Sequence, residues 1–257
     1  AYGYPGPTIT GSISKDIMFV NEILGLKLAV SDHRAPNISV EELIRLGSDV
    51  RTAGMLSGKP GLITLHMGDD KRALEPVFEA LERTSIPIKT FQPTHVGRSA
   101  KLQDDAFRFA KMGGTIDITC GQSESKFKAV AASLKKAAEE QVPMEKITIS
   151  SDGQGSWSNY DADGKLTEMG VSDVDTIYRQ IVYEVKNEKM PLAEALTFGT
   201  SNVAKALELY PKKGAVQEGS DGDLLLMNGD LTLDAVIAGG AVMMKDGVLV
   251  KKGTYEK

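Results

Sequence analysis

Short apolar runs alternate with longer amphipathic stretches along most of the 257-residue chain. The runs predict strands, and the stretches, in which apolar residues recur every three or four positions, predict helices. Predicted strands cover residues 26–30, 62–65, 86–91, 115–119 and 147–149. Predicted helices cover residues 40–56, 71–83, 101–112, 123–141, 172–187 and 192–209. Strands that alternate with helices in this order predict βαβ units and a parallel sheet.

The C-terminal stretch has a different pattern, with closely spaced strand signals at residues 223–227, 235–237, 241–245 and 248–252. Asp246-Gly247, between the last two, predicts a type I′ hairpin turn. We therefore expect two domains, a (β/α) domain of residues 1–212 and a small β-domain to which residues 213–257 contribute strands. The core of the second would be thin by itself, so we expect its sheet to be completed by strands from elsewhere.

The strand count distinguishes two parallel architectures. Five strand–helix units are visible, which satisfies a doubly wound sheet. A parallel barrel instead has eight strands and takes about 250 residues. If the fold is a barrel, about three strands are expected to precede Ala1.

Composition and charge narrow the class of protein. The chain is 41% hydrophobic and 25% charged, as in soluble globular proteins, and its net charge of −5 argues against a nucleic-acid partner. No apolar run approaches the ~18–20 residues that span a bilayer, so no membrane partner is expected. Cys120 is the single cysteine and cannot form an internal disulfide, which favours a reducing, cytoplasmic compartment.

Polar side chains with metal-binding chemistry lie at the ends of the predicted strands. The three histidines, His33, His66 and His95, each stand at or just past such an end, and Asp152 follows the strand at 147–149. On a parallel barrel this is the face where active sites are built. Imidazole and carboxylate groups that converge there suit Zn²⁺ or another divalent ion.

Lys27 interrupts an apolar strand, where an unpaired ammonium would be costly to bury. Three solutions are open. The ammonium could pair with Asp32 or Asp152; it could have a lowered pKa and form a Schiff base; or it could react with CO₂ to give a carbamate that bridges two metal ions.

Two arginines follow the same strand ends, Arg34 after His33 and Arg98 after His95, and guanidinium groups there suit capture of a substrate carboxylate. Ser156 follows the glycine-rich turn that begins at Asp152. The segment 161–164 (Asp-Ala-Asp-Gly) lacks the glutamate of a calcium loop and is expected to be a polar turn.

A lysine on one strand, a histidine on each of the next two and an aspartate on the last resemble the binuclear metal site of the amidohydrolase superfamily. The surrounding segments are similar to those of its bacterial isoaspartyl dipeptidases. These segments are 8–12 (TITGS), 29–34 (AVSDHR), 58–61 (GKPG), 66–69 (HMGD), 93–96 (PTHV), 113–119 (GGTIDIT) and 150–153 (SSDG). The matches occur in order through nearly the whole chain.

This resemblance implies a TIM-type (β/α)8 metal-dependent hydrolase barrel with a small β-sandwich domain. It implies hydrolysis of the β-amide bond of isoaspartyl dipeptides by a hydroxide bound to two Zn²⁺ ions. Cytoplasmic homo-oligomers, as octamers, and a small dipeptide as the partner are implied as well. The implied metal ligands are Lys27, as its carbamate, with His66, His95 and Asp152.

The remaining roles also follow from the resemblance. Asp152 moves the proton, and Tyr2 polarises the scissile carbonyl and touches the substrate. Arg34 and Arg98 hold the terminal carboxylate, and Ser156 contacts the aspartyl portion.

The sequence departs from this family at its beginning. It contains no His-x-His pair, which supplies the remaining ligands on the family's first barrel strand. The similarity begins at Tyr2, near the end of the third barrel strand, so we expect the chain to be the C-terminal two-thirds of an enzyme with its N-terminal strands absent.

Other functions remain open from the residues. A cyclic-amide hydrolase of the dihydropyrimidinase or hydantoinase type would keep the metal chemistry with another substrate. Lys27 as a Schiff-base lysine would indicate a barrel aldolase. A metal-free pseudo-enzyme would keep the fold without activity.

Overall fold

The computed structural model describes residues 8–31 and 38–253. Its α-helices are α1 Ile13–Phe19, α2 Val40–Ser57, α3 Glu75–Arg83, α4 Ala100–Lys111, α5 Glu124–Glu139, α6 Thr176–Lys186, α7 Leu192–Thr197 and α8 Ser201–Ala206. Its strands are β1 Gly25–Val30, β2 Leu62–Met67, β3 Phe91–Thr94, β4 Ile116–Thr119, β5 Ile147–Ser150, β6 Ser156–Tyr160, β7 Leu166–Val171, β8 Leu224–Met227, β9 Leu233–Ala238, β10 Ala241–Lys245 and β11 Val248–Leu249.

The first five strands are parallel, as the sequence predicts, and helices connect them. One sheet contains three strands in the order β1-β2-β3, and a second contains β4 paired with β5. The register places Lys27 beside Thr64 and His66 beside Thr94. Parallel pairing brings the carboxyl ends of these strands to one edge.

The strands are buried on both faces, as expected of parallel strands covered by helices. Leu65 and His66 are consecutive residues of β2, and both are buried. The largest fully buried side chains include Phe91 on β3 and Phe107 and Phe109 on α4. The core thus lies between the strands and the helices that follow them, and it holds the strand ends in place.

Local signals explain where the longest helix begins and ends. Ser39 caps α2 in a capping box with Glu42, in which each side chain bonds the other residue's backbone N–H. Gly58 ends the helix in the left-handed conformation, with φ of 69°. The expected helix at 40–56 is therefore α2, one residue longer.

The segment 58–61 has a structural role in the fold. The Lys59 ammonium donates hydrogen bonds to the carbonyl oxygens of Ile17, Val20 and Ile23, at 2.7, 2.6 and 3.0 Å. A cation at the C-terminal end of a helix is favourable because the last carbonyl groups have no partner within the helix. Lys59 thereby ties α1 to the loop before β2.

The structure differs from the predicted elements in three places. The predicted strand at 86–91 is largely a short 3₁₀ turn after Pro87, and β3 begins only at Phe91. The predicted helix at 192–209 is split into α7 and α8, because the buried Phe198 leaves the helix and its carbonyl accepts a hydrogen bond from the Ile149 N–H of β5.

The third difference is that α1 and the hairpin of β6 and β7 were not predicted. The turn of this hairpin is the segment at 161–164. Its Asp161 carboxylate accepts from the backbone N–H groups of Asp163 and Lys165, which confirms a polar turn.

The C-terminal strands form a separate antiparallel sheet in the order β11-β10-β9-β8. Asp246 and Gly247 have φ of 51° and 72°, the positive values that a type I′ turn requires. The division of the chain at residues 212 and 213 stays a prediction.

Candidate active site

The predicted metal-binding side chains that the structure describes lie along one edge of the parallel strands. His66 is the penultimate residue of β2, and His95 follows β3 directly. Asp152 lies two residues beyond β5, and Lys27 lies within β1. Tyr2, His33 and Arg34 lie outside the described residues.

The two described histidines face each other. His95 Nε2 lies 3.0 Å from His66 Nδ1, and the ring centroids are 4.3 Å apart. The second nitrogen of His95, Nδ1, lies 2.6 Å from Thr119 Oγ1 on β4. Both rings are buried, so these contacts determine which nitrogen of each ring points at the other.

Arg98 lies beside the histidine pair. Its Nη1 donates a hydrogen bond of 2.6 Å to the carbonyl of Met67 and is 3.3 Å from His66 Nε2. The second distance is beyond the usual hydrogen-bond range, so of these two contacts the one to the Met67 carbonyl is the stronger. This position places a fixed positive charge at the edge of the site.

Lys27 and Asp152 form an ion pair across the ends of β1 and β5. The Nζ–Oδ1 distance is 3.7 Å, and the side chains are 37% and 21% exposed. This geometry shows the unmodified Lys27 ammonium next to Asp152, and the Schiff base and the carbamate stay predictions. Because the Lys27 side chain is partly exposed, its ammonium is less costly to accommodate than the fully buried one expected from the sequence.

Asp152 is held by a tight turn. Its backbone is in the left-handed region, with φ of 48°, and its carbonyl accepts a 2.8 Å hydrogen bond from the Gly155 N–H. A Cβ atom on Gly155 would lie 2.7 Å from the Asp152 carbonyl oxygen and 3.0 Å from its Cγ. Glycine is therefore required here because the turn passes directly against Asp152.

Left-handed backbone recurs at the strand ends of this edge. Ser31 after β1 and His95 after β3 have φ of 59° and 63°, and Asp152 repeats the feature after β5. Such conformations are costly for residues with a Cβ atom and cluster at functional sites. Each one turns the chain sharply where a polar side chain enters the site.

Asp117 also lies at this edge and is not among the site residues predicted from the sequence. It is 7% exposed, and its Oδ2 accepts hydrogen bonds from the hydroxyls of Thr94, at 2.5 Å, and Ser150, at 2.6 Å. Its Oδ1 accepts from Thr148 at 2.8 Å. Burial raises the pKa of Asp117, the three hydroxyl hydrogen bonds lower it, and the nearby charge of Asp152 raises it.

A signal for Asp117 is nevertheless present in the sequence. Polar residues alternate with isoleucines along β4, where Asp117 and Thr119 share one face and Ile116 and Ile118 the other. The same alternation occurs on β5, where Thr148 and Ser150 share one face and Ile147 and Ile149 the other.

The spacing of the donor atoms indicates whether these residues suit a divalent metal ion. Two ring nitrogens that bind Zn²⁺ at about 2.0–2.1 Å in tetrahedral geometry lie roughly 3.3 Å apart, near the 3.0 Å between His66 and His95. Within residues 8–31 and 38–253, no three His, Cys, Asp or Glu side chains are grouped to hold an ion. The described residues thus fit part of a zinc site, namely two imidazoles, with the Lys27–Asp152 pair on other strands of the same edge.

Two further side chains lie apart from these contacts. Ser156 begins the β6–β7 hairpin and is exposed. Cys120 is buried directly after β4, and burial raises the pKa of its thiol, which keeps it protonated and unreactive. No helix in the described part of the chain is both long and apolar enough to cross a membrane.

Comparison with known proteins adds to this geometry. Residues 74–252 match the Amidohydrolase family. Two crystal structures of the β-aspartyl dipeptidase from the thermophilic, keratin-degrading Fervidobacterium islandicum AW-1 share 37% identity over 99% of this chain, with TM-scores of 0.90 and 0.85. One of the two is a complex with the dipeptide β-Asp-Leu. The chain spans 67% and 65% of the two structures' chains, about two thirds of their length.

A more distant structure shares the fold alone. An adenosine deaminase from Xanthomonas campestris with bound zinc is 14% identical over 89% of this chain and 53% of its own, with a TM-score of 0.54. Together with the family match, these structures confirm the predicted TIM-type barrel architecture, of which the five parallel strands form a part.

Proposed function

Because this chain belongs to the amidohydrolase family, we propose that it carries active-site residues of a dipeptidase that hydrolyses the β-amide bond of isoaspartyl dipeptides. The family match confirms the resemblance and the hydrolase class that the sequence indicated. The proposed substrate rests on the 37% identity to a β-aspartyl dipeptidase with β-Asp-Leu bound.

We propose Zn²⁺ as the cofactor, two ions in the complete site, with His66, His95, Asp152 and the carbamate of Lys27 among their ligands. The close approach of the two imidazoles supports this assignment, as does the position of Lys27 beside Asp152. A carbamate would replace the ammonium by an anion, which suits a ligand shared by two cations. When bound, zinc supplies Lewis acidity and lowers the pKa of water.

The chain's own residues would manage the proton and the substrate. Asp152 accepts a proton from the attacking water and passes it to the leaving amine, a role that its 21% exposed side chain at the strand edge permits. Arg98, anchored on the Met67 carbonyl, and Arg34 would bind the terminal carboxylate. Tyr2 would donate to the developing oxyanion, and Ser156 would contact the aspartyl group.

The broader assignments are proposals of the same kind. Residues 1–212 form the catalytic domain, and residues 213–257 contribute the strands of a small β-domain, in keeping with the separate sheet of β8–β11. A homo-oligomer, as an octamer, rests on the resemblance. A cytoplasmic location rests on the single cysteine.

The test compares leucine release from β-Asp-Leu and from α-Asp-Leu by the purified protein with the family's His-x-His strand included, with and without a chelator. We expect cleavage of the β-linked peptide alone, abolished by the chelator. Asp152→Asn is expected to lower kcat at least ~100-fold, because the amide cannot accept and return the proton. Asp163→Asn, in the exposed turn of the β6–β7 hairpin, is the matched control and should retain the rate.

Three outcomes would contradict this proposal. Equal cleavage of both peptides would remove the isoaspartyl preference. Full activity of Asp152→Asn with metal bound would remove the role of Asp152. Hydrolysis of dihydrouracil with no dipeptide cleavage would identify a cyclic-amide hydrolase instead.

A further inference from the structure

The Asp117 carboxylate joins three neighbouring strands near the site. It lies on β4, which carries none of the proposed metal ligands, and it accepts hydroxyl hydrogen bonds from β3 and from β5. Hydrogen bonds to this acceptor are shielded from competing water because Asp117 is only 7% exposed. Asp117 therefore holds the ends of β3 and β5 at a set separation from β4.

Two of the three hydroxyls lead directly to proposed ligands. Thr94 precedes His95, and Ser150 lies two residues before Asp152. Both donate to the same oxygen, Oδ2, so one atom links the two ligand-bearing strand ends. Immediately beyond these tethers the backbone turns into the left-handed region at His95 and at Asp152. The tethers are thus the last fixed points before the chain bends into the site.

The third hydroxyl differs in what it reaches. Thr148 donates to Oδ1 rather than Oδ2. It lies four residues before Asp152, and two residues further from the edge than Ser150. Its hydroxyl also lies 3.2 Å from the Ile116 carbonyl. Thr148 contributes to the same cluster without connecting the carboxylate to the bend at either ligand.

β4 also contacts His95 by a second route. Thr119, two residues after Asp117 and on the same face, lies with its hydroxyl 2.6 Å from His95 Nδ1. One strand therefore holds both the backbone that leads into His95 and the ring itself. Partners of this kind orient the ligands of metal sites, and the loss of one typically weakens metal affinity or activity by about 10–100-fold.

We propose that Asp117 is a positioning residue, which sets the spacing between His95 and Asp152 through the hydroxyls of Thr94 and Ser150. This inference rests on the proposed function, since it takes these two residues as ligands. Asp117 touches neither the substrate nor the reacting atoms and acts through the strand ends.

The test measures Co²⁺ binding by the visible d–d absorption of the cobalt complex, with thermal unfolding followed in parallel. Thr94→Val and Ser150→Ala each remove one tether and are expected to weaken Co²⁺ binding about 10-fold or more. Thr148→Val is the matched control. It loses the same type of bond to the same carboxylate, so it should unfold at a similar temperature to the other two variants and keep Co²⁺ affinity within about threefold.

The conservative variant Asp117→Asn separates the effect of the hydrogen bonds at Asp117 from the effect of a carboxylate charge. In Asp117→Asn the amide oxygen can accept from Thr94 and Ser150, and the amide nitrogen can donate to Thr148, whose hydroxyl retains the Ile116 carbonyl as its acceptor. We expect Co²⁺ affinity within about threefold of the wild type and an unchanged absorption spectrum.

Each other outcome is decisive. If wild-type Co²⁺ bands persist in His66→Ala or never form, the proposed metal site fails, and this inference fails with it. If the wild type binds Co²⁺ through His66 but Thr94→Val and Ser150→Ala bind it equally well, only the role of Asp117 is overturned. An equal loss in Thr148→Val, or a loss in Asp117→Asn as large as in Thr94→Val, would also overturn the positioning role.

Discussion

Glu184 on α6 should make the protein less stable as the pH rises. It is 2% exposed, and its Oε1 accepts a 2.6 Å hydrogen bond from the Gln180 amide. Burial raises the pKa of this carboxyl from 4.5 to about 7, the Gln180 hydrogen bond opposes that change, and the charge of Glu188 adds to it. Beside it, the Gln180 Oε1 is buried and has no hydrogen-bond partner within the described residues.

The direction of the effect follows from the two pKa values. Below pH 4.5 the carboxyl is protonated in the folded and unfolded states, so it contributes no pH dependence. As the pH rises from 4.5 to about 7, the unfolded state loses its proton while the folded state retains it, and stability falls. At about 1.4 kcal/mol per pH unit, the loss is about 3 kcal/mol and is complete above pH 7.

Glu184→Gln should remove this loss, because glutamine keeps the acceptor oxygen for Gln180 and cannot ionise. Relative to the wild type, we expect equal stability at pH 4 and a gain of about 3 kcal/mol at pH 8, or roughly 6–12 °C in Tm. Urea unfolding and calorimetry between pH 4 and 8 measure this difference. Glu194→Gln, at an exposed glutamate of α7, is the control and should show no pH-dependent difference.

A stability difference between Glu184→Gln and the wild type that stays constant from pH 4 to pH 8 would refute the reasoning. A variant less stable at pH 8 would do so as well, since it would mean that the ionised carboxylate is favourably solvated or paired in the folded protein.

Two other substitutions test contacts described above. Gly155→Ala should lower kcat for β-Asp-Leu at least ~10-fold with a small change in Tm, because the new Cβ would lie 2.7 Å from the Asp152 carbonyl oxygen and would push Asp152 out of position. Gly229→Ala is its control, because a Cβ there meets no atom within 4 Å. Equal rates in the two variants would contradict the role of the turn. Lys59→Met should cost about 2 kcal/mol in urea unfolding, because three carbonyl groups lose a charged donor. The exposed Lys15→Met serves as its control, and equal losses in the two variants would show that the Lys59 contacts add nothing.

The sequence by itself predicted the parallel strands, and it predicted that the candidate metal-binding side chains lie at the carboxyl ends of those strands. Periodicity located four of the first five strands within a few residues, because side chains of buried strands and amphipathic helices must repeat with the geometry of those elements. Parallel strands align their carboxyl ends, so His66, His95 and Asp152 could be assigned to one edge without coordinates. The superfamily resemblance was also visible in the ordered segments.

Other features depend on contacts between distant parts of the chain, which periodicity does not contain. The break between α7 and α8 follows from a bond between Phe198 and β5, and the 3.0 Å approach of His66 and His95 follows from the register of β2 on β3. Asp117 has a polar alternation in sequence, but only the three converging hydroxyls show what its carboxylate holds. The tertiary structure decided these points because hydrogen bonding and desolvation depend on which groups are brought together and how completely water is excluded.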